Sequence, residues 1–222
     1  MSLDLTLESG EEIRFLNKIR TTIKQLSKQC RFTTRELEIA LLIYYKLLKD
    51  EIDEGGSKTP QYISRQHFTT VFSTMFGISD RETLRRMYAA LDKGATSYVT
   101  METWVKTLSL FLRGSFEEKI KYCFKVYDLQ GDGVITREHM MLLMRSVFIK
   151  HQVEDVEEAV KEFVDILLHR MDIDRDGAIS FQDYQETVRA IPELLECFGQ
   201  ALPDRFHVYA FSRTFLDRVR KF

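Results

Sequence analysis

The stretch that most constrains the fold of this chain is DIDRDGAISFQD, residues 172–183. A calcium loop between two helices takes oxygen ligands from positions 1, 3, 5, 7, 9 and 12, and it needs glycine at position 6 for a sharp turn. Gly177 occupies position 6. The candidate ligands are Asp172, Asp174, Asp176, the backbone carbonyl of Ala178, Ser180 and Asp183. The spacing therefore predicts a calcium site with a helix on each side.

The closing ligand of this loop refines the prediction. Asp183 is one methylene group shorter than the glutamate that usually closes such loops, so bidentate contact with the ion is harder. We therefore expect weaker calcium binding and a greater tolerance of six-coordinate magnesium at the same site. The alternative is an aspartate-rich surface turn that holds no metal.

A second stretch, DLQGDGVITREH at 128–139, follows the same spacing less completely. Its weaker candidate ligands are Asp128, Gln130, Asp132, the backbone carbonyl of Val134 and Thr136. Position 12 is His139, and imidazole is a poor ligand for a hard cation. Glu138 lies about 100° around the exiting helix and would need a distorted loop to reach an ion. We expect this loop to bind calcium poorly.

Two further loops lie between predicted helices in the same way but lack the metal ligands. Residues 92–103, DKGATSYVTMET, carry an acid only at the first ligand position, and residues 52–67 show no ligand order. All four loops carry a β-branched residue late in the loop, namely Ile63, Val99, Ile135 and Ile179. We expect these residues to pair between loops in two short β bridges. The chain is therefore predicted to be an all-α, two-lobed EF-hand protein with four helix–loop–helix units and degenerate N-terminal hands.

Gly114 is the natural boundary between the two halves of the chain. The first lobe is expected at 1–113 and the second at 114–204, followed by an amphipathic helix at 205–222. Helical spacing of apolar residues predicts a basic leading helix over 11–28, with Ile13, Leu16, Ile19, Ile23 and Leu26 turned inward. Three capping boxes predict helix starts, at Thr33 with Glu36, Ser79 with Glu82, and Ser115 with Glu118.

A partner-binding groove is predicted in the second lobe, because calcium opens helix pairs in sensor EF-hands and exposes apolar side chains. Its expected lining is Phe124, Met140, Met141, Met144, Phe148 and Phe163. The alternative is that these side chains are ordinary core. The tail at 205–222 is expected to fold back over this groove. It could instead be a free basic tail that faces a partner or a microtubule.

Composition excludes several function classes. A formal net charge of −2 argues against nucleic-acid binding. The three cysteines form no CxxC pair, which favours reduced thiols in a cytoplasmic protein. Ser2 stands where N-myristoylation needs glycine, so no membrane anchor is expected. Phosphate-loop, dinucleotide-binding and nucleophile-elbow patterns are absent from the sequence, and no catalytic activity is expected.

Longer segments of the sequence resemble a known family. The chain is similar to the neuronal-calcium-sensor-like branch of EF-hand proteins, and within it to the calaxin family. The segments that carry the resemblance are FLRGSFEEKIKYCFKVYDLQGDGVIT (111–136), MDIDRDGAISFQDY (171–184), FGISD (76–80) and FGQALPD (198–204). The resemblance implies a calcium-dependent regulator of outer-arm dynein in the axoneme of a cilium or flagellum. Its partner would be a dynein heavy chain or a docking-complex chain, bound through an amphipathic helix.

Calaxins use their last three hands as calcium sites. This sequence keeps a full set of acids only at 172–183, and at 128–139 it departs from the family at His139. Two other functions stay open on the sequence. One is a constitutive adaptor, similar to a myosin light chain, with one structural ion. The other is a regulatory subunit of an enzyme such as a phosphatase.

Overall fold

A computed structural model describes residues 9–55, 62–78, 80–91, 97–152 and 154–220 of the chain. The described residues are almost entirely helical, and the strands are two or three residues long. The helices are α1 Ser9–Lys18, α2 Arg20–Leu26, α3 Thr34–Gly55, α4 Arg65–Phe76, α5 Arg81–Leu91, α6 Met101–Arg113, α7 Phe116–Tyr127, α8 Arg137–Lys150, α9 Val156–Met171, α10 Phe181–Ala190 and α11 Arg205–Arg220, with a 3₁₀ turn at Pro192–Glu196. The predicted all-α EF-hand fold is confirmed.

Two antiparallel β bridges join the loops in pairs. Strand β1 (Ile63–Ser64) pairs with β2 (Tyr98–Val99), and β3 (Val134–Thr136) pairs with β4 (Ala178–Ser180). Ile63 faces Val99, and Ile135 faces Ile179, as the sequence predicted. All four of these side chains are fully buried. The bridges therefore hold the loops together through apolar contact as well as through backbone hydrogen bonds.

A hydroxyl at position 9 of each loop starts the exiting helix. The four hydroxyls belong to Ser64, Thr100, Thr136 and Ser180, and each accepts a hydrogen bond from the backbone N–H three residues later. Such an N-cap satisfies a helix N–H that has no partner within the helix. The repetition shows that the exiting helices of all four units begin in the same way, whatever acids their loops have kept.

The chain folds as two compact units. The first contains Met1–Asp80, Leu91–Ser115 and Pro203–Phe222, and the second contains Arg81–Ala90 and Phe116–Leu202. This division differs from the linear one expected at 113 and 204, because most of α5 belongs to the second unit and the C-terminal helix belongs to the first.

The core of the first unit is organised around two aromatic residues. The indole N–H of Trp104 donates to the carbonyl of Ala40 at 2.8 Å, and Trp104 is fully buried. The hydroxyl of Tyr44 donates to the carbonyl of Val99 at 2.8 Å and accepts from the N–H of Ile63 at 3.4 Å. Tyr44 thus ties α3 to both strands of the first β bridge.

The leading helix differs in detail from the predicted one. It is divided into α1 and α2 at Ile19, and Ile13 is 61% exposed instead of buried. Phe15 takes the inward place, since its ring stacks on Tyr45 of α3 with the ring centroids 4.2 Å apart. α3 begins with the predicted capping box, because the backbone N–H of Thr33 donates to Glu36 at 2.8 Å. The box predicted at Ser79 lies outside the described residues.

The C-terminal helix α11 packs against α3, α4 and α6 of the first unit. The ring of Phe211 lies 5.6 Å from that of Phe76, and the imidazole of His207 covers the backbone of Gly77. A Cβ atom at Gly77 would lie only 2.3 Å from that imidazole. The expectation that the tail covers the groove of the second lobe was therefore wrong, because α11 packs on helices of the first unit.

In the second unit, α8 and α9 pack along each other, and α7 packs on α10. The guanidinium of Arg189 contacts both carboxylate oxygens of Glu117, at 2.7 and 2.8 Å, which joins α7 and α10 at their ends. None of the helices in the described ranges is both apolar and long enough to cross a bilayer.

Candidate metal centre

Three carboxylates converge in the loop at 172–183. One ligand oxygen from each of Asp172, Asp174 and Asp176 lies within 4.8 Å of the others. These are positions 1, 3 and 5 of the calcium loop. A donor set made only of oxygen suits a hard cation such as calcium or magnesium. The residues present therefore fit the ion that the spacing predicts.

The backbone of this loop is held by its own acids. Asp172 accepts from the N–H of Asp176 at 3.1 Å and from the N–H of Gly177 at 2.9 Å. Asp176 accepts from the N–H of Ala178 at 2.8 Å. Arg175 and Gly177 have positive φ angles of 62° and 89°. The turn that directs the carboxylates inward therefore uses a left-handed conformation at two alternate positions.

Asp183, at position 12, connects the two ends of the loop. It is 5% exposed, and it accepts from the N–H of Ile173 at 3.3 Å. It also accepts from the N–H and the hydroxyl of Ser180, at 3.0 and 2.6 Å. Its own N–H donates to the hydroxyl of Ser180, which completes a capping box at the start of α10. The oxygens of Asp183 and Ser180 are thus engaged with each other in this structure.

The electrostatics of the loop favour a cation. Partial loss of water around the carboxyl of Asp174 raises its pKa, and the negative charges of Asp176 and Asp183 raise it further. Neighbouring carboxylates repel one another, and a bound cation relieves that repulsion.

The loop at 128–139 has the same backbone architecture. Asp128 accepts from the N–H of Gly131 at 2.7 Å and from the N–H of Gly133 at 2.9 Å. The N–H of Val134 donates to Asp132 at 3.2 Å. The φ angles of Gly131 and Gly133 are 73° and 90°. Gln130 is exposed, and Thr136 is engaged as the N-cap of α8.

The end of this loop differs from its counterpart. His139 is 5% exposed, and its Nδ1 atom has no hydrogen-bond partner among the described residues. The carboxyl of its neighbour Glu138 accepts hydrogen bonds from its own backbone N–H and from the hydroxyl of Thr136 at the start of α8. These hydrogen bonds lower the pKa of the Glu138 carboxyl. Within the described residues, a cluster of three potential ligands forms only at Asp172, Asp174 and Asp176.

The loops of the first unit fall partly outside the described residues, which omit 56–61 and 92–96. The part that is described is held together by side chains. The rings of Tyr62 and Tyr98 stack at 4.6 Å over the outside of the first β bridge, and Tyr44 holds its inside. Tyrosines thus brace this pair of loops through contacts that need no ion.

The side chains predicted to line a groove divide into two groups. Phe124, Met140 and Met144 are 0–4% exposed and belong to the core of the second unit. Met141, Phe148 and Phe163 are half-buried, and the rings of Phe148 and Phe163 lie 5.7 Å apart. Sequence reasoning missed the most exposed apolar side chains of α8 and α9, which are Leu142, Ile149 and Ile166.

Comparison with known proteins agrees with this geometry. The family model of the EF-hand domain pair matches residues 117–189. Calaxin of Danio rerio is 36% identical over 197 residues, which cover 88% of this chain and 92% of the relative. Calaxin of Xenopus laevis is 37% identical over 199 residues, covering 89% and 93%. Calaxin of Homo sapiens is 37% identical over 192 residues, covering 84% and 88%.

These matches extend over both units, and they coincide with a cluster of acids at calcium-loop positions and with paired loops. The chain therefore belongs to the calaxin family of calcium-binding EF-hand proteins.

Proposed function

We propose that this protein is a calcium-dependent regulator of outer-arm dynein in cilia or flagella, and that residues 172–183 are its principal calcium site. The observation that carries the proposal is the convergence of the three carboxylates of Asp172, Asp174 and Asp176 within 4.8 Å. The family resemblance supports the dynein partner, which would be a heavy chain or a docking-complex chain. The protein would act by binding and would have no catalytic activity of its own.

The roles of the ligands follow from their places in the loop. Asp172, Asp174 and Asp176 supply charge and one oxygen each, and the carbonyl of Ala178 supplies a neutral oxygen. Ser180 binds directly or through water. Asp183 has to exchange its hydrogen bonds with Ile173 and Ser180 for a contact with the ion. This exchange is one reason to expect a lower calcium affinity than a glutamate would give, and to expect magnesium to compete.

The loop at 128–139 is the weaker candidate. It offers two carboxylates, Asp128 and Asp132, and a buried imidazole stands at its closing position. We expect one calcium ion per chain at signalling concentrations.

Calcium titration by calorimetry, with and without millimolar magnesium, tests the site. One binding event that is weakened by magnesium is the expected result. Sedimentation of the protein with isolated axonemes then tests the partner. We expect calcium-dependent sedimentation that requires dynein or its docking complex, and that is lost in Asp172→Ala. Sedimentation with axonemes stripped of outer arms and docking complexes would contradict the dynein assignment.

A constitutive adaptor remains the second candidate, and one observation favours it. Tyr44 and the stacked pair Tyr62 and Tyr98 hold the loops of the first unit without any ion. An adaptor would sediment with axonemes equally with calcium and with chelator. A regulatory subunit of a phosphatase or similar enzyme would instead be recovered with that enzyme and without dynein.

A further inference from the structure

A short segment of the second unit occupies an apolar cleft between α7 and α10. Residues 192–202 begin as the 3₁₀ turn Pro192–Glu196, which packs on both helices. Phe198, Ala201 and Leu202 are 0–8% exposed. The ring of Phe198 lies 5.3 Å from that of Tyr127. The segment therefore fills the cleft with its own apolar side chains, as a bound peptide would.

The segment is also held by two buried tyrosines. The hydroxyl of Tyr127 donates to the carbonyl of Gly199 at 2.6 Å, and the hydroxyl of Tyr184 donates to the carbonyl of Leu195. Glu196 accepts from two N–H groups later in the segment, both at 2.8 Å. Two fixed donors on the cleft wall thus meet two backbone carbonyls of the segment.

The contacts of this segment lie beside the calcium loops. Tyr127 directly precedes Asp128, the first ligand position of one loop. Met171 directly precedes Asp172 in the other loop, and its sulfur lies 3.8 Å from that of Cys197. Tyr184 directly follows Asp183. A change in helix angle at either loop therefore reaches the segment through residues next to the ligands.

We propose that residues 192–202 are an internal ligand of this cleft, and that calcium binding releases them so that a partner helix can take their place. The proposal rests on the calcium site of the proposed function. In sensor EF-hands, calcium changes the angle between paired helices and opens an apolar surface. Here the opening moves Tyr127, Met171 and Tyr184 relative to one another, and a segment that contacts all three loses its fit.

The internal ligand also indicates the chemistry of the partner. Its buried positions are an aromatic residue at 198, a small residue at 201 and an aliphatic residue at 202. The buried hydroxyls of Tyr127 and Tyr184 need acceptors once the segment leaves. Carbonyls within a helix are already bonded, whereas the last four are free. The partner is therefore the C-terminal turn of an amphipathic helix with this apolar spacing.

The two cysteines of the cleft report directly on its state. Burial raises the pKa of the Cys197 thiol to about 12, and it raises that of the Cys123 thiol as well. We therefore expect both thiols to react slowly while the segment is in place, because the thiolate is the reactive form. Cys30 and Cys197 are both half-buried, and Cys30, which lies in the first unit, serves as an internal control. Alkylation by iodoacetamide can be followed at each cysteine by mass spectrometry of peptides.

We expect calcium to speed alkylation of Cys197 at least tenfold and to leave Cys30 unchanged. Without calcium, Tyr127→Phe and Tyr184→Phe should each raise the Cys197 rate about fivefold, because each removes one hydrogen bond to the segment. Tyr209→Phe is the matched control, because Tyr209 is 62% exposed and belongs to the first unit. Its Cys197 rate should equal that of the wild type.

A peptide copy of residues 190–203 gives an independent measurement. With calcium present it should bind the protein, and a copy with Phe198→Ala should not. An unchanged Cys197 rate in a protein whose calcium binding is seen by calorimetry would overturn the proposal while leaving the calcium site intact. Absence of calcium binding would defeat the proposed function instead. The two tyrosine variants would then decide whether residues 192–202 act as an internal ligand, since unchanged Cys197 rates in both would refute it.

Discussion

The two loops of the second unit allow a matched test of which one binds calcium. Asp172 and Asp128 both stand at position 1, and each accepts two backbone hydrogen bonds within its own loop. Alanine at either position removes the same bracing. A hydrogen bond of this kind contributes about 1 kcal/mol net, so each variant should lose about 1–2 kcal/mol of stability without calcium.

Calcium should separate these two variants. A unit charge about 2.4 Å from a divalent ion contributes about 3 kcal/mol even with the screening of bulk water. Asp172→Ala should therefore weaken calcium binding on the order of a hundredfold. Asp128→Ala should leave the main binding event unchanged, because only Asp172 belongs to the cluster of three carboxylates.

Calorimetry and thermal unfolding, each with calcium and with chelator, measure both effects. In chelator both variants should lose stability, and Asp172→Ala should lose less because it also removes one charge from the repelling cluster. Calcium affinity should fall only in Asp172→Ala. If Asp128→Ala removes as much binding heat as Asp172→Ala, the reasoning is refuted. The loop at 128–139 would then bind calcium despite His139, and the protein would be a sensor with two working loops.

Three further changes test other parts of the structure. His139→Glu should lower thermal stability in chelator, because it buries a carboxylate, and should raise calcium stoichiometry by calorimetry from about one to about two. Gly177→Ala should lower the free energy of unfolding in chelator by about 1–2 kcal/mol, since alanine is strained at its φ of 89° while its Cβ would meet no atom within 4 Å. Gly10→Ala, also without a neighbour within 4 Å, is the control and should be no less stable than the wild type. The pKa of Glu36 is lowered, although burial opposes this, by hydrogen bonds from Thr33 and Arg113. The ionised Glu36 therefore stabilises the fold above its unfolded pKa, and this stabilisation is lost as pH falls through its folded pKa. In urea unfolding, Glu36→Gln should be less stable than the wild type at pH 7. The difference in free energy of unfolding between the two proteins should close below about pH 4.

Features with a local signal were predictable from the sequence. The pairing of Ile63 with Val99 and of Ile135 with Ile179 follows from one β-branched residue at the same place in each loop. The hydroxyl at position 9 that caps each exiting helix is equally visible in the sequence, which led us to predict Thr136 and Ser180 only as possible ligands. The signal for each of these features lies within a few neighbouring residues, so it can be recognised without knowledge of the rest of the fold.

Features decided by competition between distant surfaces were not predictable. In the leading helix Phe15 is buried where Ile13 was predicted to be, because the ring of Phe15 stacks on the ring of Tyr45. The tail helix and residues 192–202 are both apolar enough to cover a surface. Only the three-dimensional fit, such as His207 over the bare backbone of Gly77, shows which surface each one covers. Periodicity identifies an apolar face without identifying what that face contacts.

The tyrosine that ties α3 to the first β bridge has a consequence for how the two units respond to a change in calcium concentration. The hydroxyl of Tyr44 is covalently part of the chain, so it cannot dissociate when the ion concentration falls. The backbone amide of Ile63 should therefore exchange its hydrogen with solvent equally slowly at rest and during a calcium pulse. The amide of Ile179, whose bridge lies between the candidate calcium loops, should exchange at a rate that follows the pulse. One chain would thus combine a β bridge whose protection from exchange is constant with a β bridge whose protection changes with the calcium concentration.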